Sequence, residues 1–518
     1  MPKRVLLLVI DALTPRVFIP GIKDGRLPTF RALAERGALH PECCSIFPSI
    51  THACLSSIAT GTYPIEHGVV GSFWYEEDND DIAYYGAQFW MVLHQGIDKF
   101  LEDLVEKMNM ERLKAPTVFE RIEEAGRKAG SINHLIYRGA LKYKVHEPLL
   151  VRLVPFLRAG RSLCGPSVMM LGDFVPLVCD EERVKIDGGA THKFGIEDGC
   201  TIAALKHLAE KEALPDFTLA YFPDNDVQSH EVGPQGAFTC LQTIDKGLGE
   251  IIEALGGLDK FLDEYTLLVH GDHAQSDVLP EEGGGPIELT ELIEGVRILT
   301  PGKPLKHADE VIIAPNLRTA FLYLGEATPE RRDRLTQQLL EDDRVDQVLW
   351  QADIFEPNAK GFCVATKTRG TIRFWNARDE EPLGTDDYGG RWIWEGDLST
   401  LNAKLQDGKL VWGEYPNAFE RIACGVGPKY AGHLWVTAKI GHSFKVPHTG
   451  AHPGGGSHAS LHRYDSFTAL LAAGLPEGVE LPERPRIVDT AHLVLRILGI
   501  PGDELGKAHF ENKTPQHP

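Results

Sequence analysis

Short apolar runs alternate with longer amphipathic stretches along much of this chain. Val5–Ile10 (VLLLVI) is an uninterrupted apolar run, read as a buried strand. Thr117–Lys128 has helical spacing, Gly130 is expected to stop it, and Ser131–Tyr137 follows as a strand. Phe217–Phe222 and Tyr265–Val269 each come after a further helical stretch. This alternation predicts an α/β fold, with a mostly parallel central sheet and helices on both faces.

Two regions break the pattern. Residues 141–187 are apolar but interrupted by Pro148, Pro155, Gly160, Pro166 and Pro176, and are expected to form a small satellite core. Residues 301–439 carry their own strand-like runs, Arg318–Leu324 and Gly361–Ala365, and a charged helix over Pro329–Glu341. That segment is expected to be an inserted, smaller α+β cap domain. The catalytic core is then expected over residues 1–300 and 440–518. A length of 518 residues is too great for one simple core.

Charge narrows the partners. A formal net charge of −21 repels nucleic-acid backbones and anionic membranes, so no nucleic-acid polymer is expected as a partner. No stretch reaches the roughly 18 apolar residues of a membrane span. The nine cysteines are scattered without CxxC spacing, and a reduced, cytoplasmic protein is expected. Nothing in the sequence sets an oligomeric state. The acidic run Glu76–Asp81 reads as a solvated loop rather than a calcium site.

Carboxylates stand at the ends of three predicted strands, where open parallel sheets bind ligands. Asp11 directly follows VLLLVI, Asp226 lies just past FTLAYF, and Asp272 and His273 close TLLVHGDH. A single acid at a strand end is commonly a cap or turn residue. Three on one edge would repel one another unless cations relieve them. Carboxylate oxygen with imidazole nitrogen suits zinc, with manganese or iron also compatible. Asp226 and His230 are four residues apart, which puts both on one face if the segment is helical.

The segment FPSITHACLSSIATGTYPIEHG holds the nucleophile candidate. His52–Thr60 has helical character and Gly61 stops it, so Thr51 falls at a helix N-terminus. There, free N–H groups favour an alkoxide or a phosphoryl oxygen. On propensity alone Thr51 is a helix cap, and its hydroxyl needs activation to attack.

Taken in order, Asp11, the FPSITHACLSSIATGTYPIEHG block, DNDVQSHEVGP, GDH and GGGSHASLHRYD resemble the alkaline phosphatase superfamily. The resemblance is to its nucleotide pyrophosphatase/phosphodiesterase branch, over about the first 280 and last 75 residues. It implies a hydrolase of phosphate esters that uses two divalent ions, zinc by expectation and manganese by alternative. It implies that Asp226, His230 and a late histidine hold one ion, and that Asp11, Asp272 and His273, with Thr51, hold the other. Spacing does not choose among His442, His448, His452, His458 and His462; the family pattern selects His458. The implied chemistry is in-line attack by Thr51, a phosphothreonine intermediate, and hydrolysis by water. The substrate is expected to be a small phosphate ester.

The chain departs from the branch at two positions. His52 stands where an aromatic residue usually follows the threonine, and Ser72 where an asparagine usually binds a phosphate oxygen. Arg138, after the Ser131–Tyr137 run and near Lys142 and Lys144, is expected to pair with a phosphoryl dianion. These features keep a phosphomonoesterase or phosphonate hydrolase open as an alternative. An inactive binding protein on the same fold is the alternative of another class. No Cys/Ser-x-Pro-x-Arg motif surrounds Thr51, which argues against a sulfatase.

Overall fold

The computed structural model describes residues 3–502 except 86–98, 100, 101, 147–159, 180, 181, 187, 189, 300–302, 379 and 448. Pro148, Pro155 and His448 therefore lie outside the described residues. A nine-stranded mixed sheet forms the core. Arg4–Ile10 sits near its middle, parallel to Phe217–Phe222 on one side and Tyr265–His270 on the other. Ala129–Ile132 and then Val168–Leu171 continue the parallel order beyond Phe217–Phe222. Antiparallel strands close both edges: Val175–Cys179 and Glu182–Val184 at one, Phe467–Ala473 and Gly37–Cys44 at the other.

The apolar run at the start of the chain now has its physical reason. Val5, Leu7 and Val9 enter one hydrophobic cluster, while Leu6, Leu8 and Ile10 enter another. Successive side chains of a strand point to opposite faces, so a strand covered on both sides must be apolar throughout. The first face packs on helices Thr51–Thr60, Val118–Glu124 and Asp489–Ile497. The second packs on Pro28–Glu35, Asp198–Glu210 and Phe238–Ala254.

Several boundaries move. The helix expected over Thr117–Lys128 is Val118–Glu124, opened by a capping box between Thr117 and Glu120. Gly126 (φ 76°) makes the turn, and Gly130 lies inside the strand Ala129–Ile132 instead of stopping the helix. Within 141–187 a small cluster does form, around Tyr143, Leu163, Met169 and Phe174. Its strand Val168–Leu171 also extends the main sheet. The acids of Glu76–Asp81 sit around a hairpin tip, and three of them are ion-paired: Glu76 to Arg112, Asp78 to Lys429 and Asp81 to Lys99.

A second, largely antiparallel sheet of eleven strands runs from Arg297–Leu299 to Leu434–Ala438. It has more strands than the core sheet, in a shorter segment of chain. Helix Pro329–Glu341 covers one face through Leu335 and Leu339. From the other face, Ile312, Phe321, Leu349 and Phe374 join the same hydrophobic cluster as Val5, Leu7 and Val9. The two sheets thus share buried apolar surface. Among the described residues, no helix is long and apolar enough to cross a membrane.

Candidate metal and nucleophile site

Asp11 leaves the sheet directly after Arg4–Ile10, and its N–H bonds the Phe222 carbonyl at 3.0 Å. Asp272 follows Tyr265–His270 across Gly271. A Cβ at Gly271 would lie 2.5 Å from Thr468 Oγ1 and 2.7 Å from Leu13 Cβ, so only glycine lets the strand end pass so close to its neighbours. Asp226 and His230 project from one face of helix Asp224–Gly236, with His230 Nε2 3.3 Å from Asp226 Oδ2. His458 arrives from the C-terminal part of the chain, with Nε2 3.6 Å from Asp226 Oδ1.

These side chains converge. Asp11, Asp272 and His273 offer ligand atoms all within 4.8 Å of one another, and so do Asp226, His273 and His458. His273 belongs to both groups. Its ring stacks on His458 at 3.7 Å, and its Nε2 lies 3.4 Å from both Asp11 and Asp272.

The three histidines are held alike. Nδ1 of His230 faces the Gly456 carbonyl at 2.8 Å, Nδ1 of His458 faces the Ser49 carbonyl at 2.8 Å, and Nδ1 of His273 faces the Ala274 carbonyl at 3.2 Å. A carbonyl only accepts, so each Nδ1 carries a proton, and each ring turns its Nε2 towards the carboxylates. This is the arrangement that metal-ligating histidines adopt.

Charge at the site is unbalanced. Burial first, then Asp272 and Asp226, push the Asp11 carboxyl well above its ordinary range. Burial likewise raises Asp272. Burial acts the same way on Asp226, but His230, His458 and His273 outweigh it and hold that carboxyl low. Asp272 Oδ1 accepts from the N–H groups of Ala12 (3.2 Å) and His273 (2.9 Å), and Asp11 Oδ2 accepts from the Tyr221 hydroxyl. Asp272 Oδ2 and Asp11 Oδ1 are buried with no hydrogen-bond partner. Two orphaned carboxylate oxygens beside imidazole nitrogens fit a divalent cation, which would satisfy both and favour their charged form.

Thr51 is the first residue of helix Thr51–Thr60, which ends at Gly61 (φ 71°). The cap position belongs to Ile50, and no side chain caps the helix. The Thr51 hydroxyl is therefore not engaged as a cap; its Oγ1 lies 3.2 Å from His273 Nε2. The helix N-terminus and the carboxylate–imidazole cluster thus meet at one hydroxyl.

The remaining predicted residues divide. His52 is buried, its Nδ1 lies 2.8 Å from Ser72 Oγ, and its ring sits 5.2 Å from Tyr85; burial pushes its pKa down to about 3. Ser72 donates its backbone N–H to Asn316 Oδ1 at 2.8 Å. Arg138 does not fit the expected role. Its guanidinium donates to Glu120 and to the carbonyls of Asn109, Leu113 and Ala115, so it is engaged inside the fold.

Sequence reasoning missed several partners. Tyr221 bonds Asp11, Asn225 holds the Asp11 carbonyl at 2.7 Å, and Gln275 bonds Asp226. All three flank the predicted acids within a few positions, which is the signal that could have found them. His452 packs 4.3 Å from His230 with a left-handed backbone (φ 50°), and its burial lowers its pKa to about 4.

Comparison with known proteins places the chain in a family and a fold. A family model described as type I phosphodiesterase / nucleotide pyrophosphatase matches residues 5–353. No curated protein sequence matches the chain. Phosphonoacetate hydrolase from Sinorhizobium meliloti 1021, solved with phosphonoformate, superposes with a TM-score of 0.55 at 15% identity, covering 96% of each chain. Murine ectonucleotide pyrophosphatase / phosphodiesterase 5 superposes with a TM-score of 0.53 at 12% identity, covering 97% of this chain and 96% of its own. At such identities the likeness shows the fold.

Proposed function

The chain belongs to the type I phosphodiesterase / nucleotide pyrophosphatase family, and on that premise we propose that it hydrolyses phosphodiester or pyrophosphate bonds of a small phosphate ester, with Thr51 as nucleophile. Asp226, His230 and His458 would hold one divalent ion. Asp11, Asp272 and His273, with Thr51, would hold the other. The donor set suits zinc, and manganese is the alternative. When bound, such a pair supplies positive charge for the entering and leaving oxygens of an in-line displacement.

The chain's own residues carry the rest. The start of helix Thr51–Thr60 aims free N–H groups at the phosphoryl oxygens. Thr51 Oγ1 gives up its proton and bonds to phosphorus as the bond to the leaving oxygen breaks, and the departing oxygen takes up a proton. Water then cleaves the phosphothreonine and returns the hydroxyl. Ser72, bonded to His52, stands ready as a hydrogen-bond donor to a phosphoryl oxygen.

One observation carries this reading: an uncapped threonine hydroxyl lies 3.2 Å from a histidine that also faces two orphaned carboxylate oxygens. Turnover of bis-p-nitrophenyl phosphate, measured with and without chelator, tests it. Activity that survives both full metal removal and Thr51→Ala overturns it.

A second reading, a phosphomonoesterase or phosphonate hydrolase, is favoured by His52. That ring is buried against Ser72 and Tyr85 and does not present an open stacking face. Comparing kcat/KM for monoester, diester and phosphonate substrates decides between the two.

A further inference from the structure

The second sheet contributes none of the proposed metal ligands, yet one of its side chains reaches beneath them. Arg318 lies at the tip of the hairpin formed by Glu310–Asn316 and Thr319–Leu324, and is fully buried. Its Nη1 donates to the Ser457 carbonyl (2.7 Å), Ser276 Oγ (2.5 Å) and Asp465 Oδ1 (2.7 Å). Its Nη2 donates to the carbonyls of Ser276 and Asp277, both at 2.9 Å, and its Nε to the His442 carbonyl at 2.8 Å.

The backbone continues the pattern. The Arg318 N–H donates to the His458 carbonyl at 3.1 Å, and Thr319 Oγ1 donates to the Ala459 carbonyl at 2.7 Å. Three consecutive carbonyls, those of Ser457, His458 and Ala459, are thus held by two adjacent residues of the hairpin. Ala459 adopts φ 84°, a conformation an L-residue keeps only when its surroundings impose it. The same guanidinium grips Ser276 and Asp277, just beyond Asp272 and His273, and that segment pairs with Gly456–Ser457.

We propose that Arg318 is a positioning residue for the metal centre. It and Thr319 set the backbone that aims His458 Nε2, so the second sheet is a fixed wall of the site rather than a lid. The inference rests on the two-ion reading above. The ion held by His458 depends on the hairpin most, because His458 is the one ligand whose own peptide is bracketed by it. Lysine in place of Arg318 keeps the charge but not the planar fork of donors. Valine in place of Thr319 keeps the branched shape and removes only the bond to Ala459.

The test is zinc stoichiometry and affinity of the full chain, by metal analysis at buffered free zinc and by chelator competition, for wild type, Arg318→Lys and Thr319→Val. The expected result is one ion bound as in wild type and the other bound about 10–100-fold more weakly in Arg318→Lys, with a smaller change of the same kind in Thr319→Val. A merely structural role would lower the thermal midpoint and leave both affinities unchanged, and that outcome overturns the proposal. If Arg318→Lys does not fold, Thr319→Val decides alone. Wild type that binds fewer than two ions overturns the two-ion reading itself, and this inference with it. Two ions in wild type with unchanged variants overturn only the role of Arg318.

Discussion

The nine-stranded sheet and the eleven-stranded sheet differ in what they bring to the site. The first delivers reactive groups: Asp11, Asp272 and His273 at strand ends, and Asp226 and His230 on a helix that follows another. The second delivers restraint: Asn316 holds the backbone of Ser72 and Phe73, and Arg318 and Thr319 hold the loop of His458. Parallel strands end together at one edge, so a residue just past each strand is brought to a common place by topology alone. The antiparallel sheet reaches that place through the hairpin that carries Asn316, Arg318 and Thr319. Chemistry and its support can thus come from separate parts of a chain, joined across a shared apolar cluster.

The sharpest way to break this division is at Thr51. Thr51→Ala is expected to lower turnover of bis-p-nitrophenyl phosphate by at least about 10³-fold, with far-UV circular dichroism unchanged. Persisting turnover would move the reactive group away from the core sheet. Next in size is Phe321→Ala, which removes the ring stacked at 4.1 Å on Trp435 where the second sheet meets the shared cluster. It is expected to destabilise the protein by roughly 3–5 kcal/mol. Calorimetry should still show one transition, and two resolved transitions would mean that the sheets are independent.

Arg138→Ala sharpens the comparison from the core side. It frees the Glu120 carboxylate and three carbonyls, so stability should fall by about 2 kcal/mol. The ratio kcat/KM should stay near wild type, and a large loss would return Arg138 to the substrate. The smallest effect is expected from Ser72→Ala. Losing one hydrogen bond to a phosphoryl oxygen, about 1 kcal/mol, raises KM about fivefold. An unchanged KM would show that Ser72 does not touch substrate.

Much of the core was legible because its signals are local. VLLLVI followed by Asp11, FTLAYF followed by Asp226, and TLLVH followed by Asp272 each pair a buried strand with the acid at its end within a few residues. Asp226 and His230 are legible from helical spacing only together with the strand that precedes them. Helix Pro329–Glu341 was legible from proline at its start and its charged outer face. His458 was not separable from its neighbours by spacing, because loop histidines carry no periodicity. Arg138 misled for the opposite reason. A cation after a strand looks available to substrate, and only the fold shows Glu120 and three carbonyls already around it. The second sheet was under-read because strands such as Arg391–Gly396 are short and only partly buried, so the alternation that marks them is weak. Arg318 lies about 140 residues from the loop it supports, and no local pattern marks such a bond.

The apolar cluster that the two sheets share has a consequence for engineering. Deleting residues 301–439 would remove Ile312, Phe321, Leu349 and Phe374 and bare the flank they cover. The trimmed protein would present a greasy face to water and self-associate. A minimal version of this molecule therefore needs that flank repainted with polar residues, or else the whole chain.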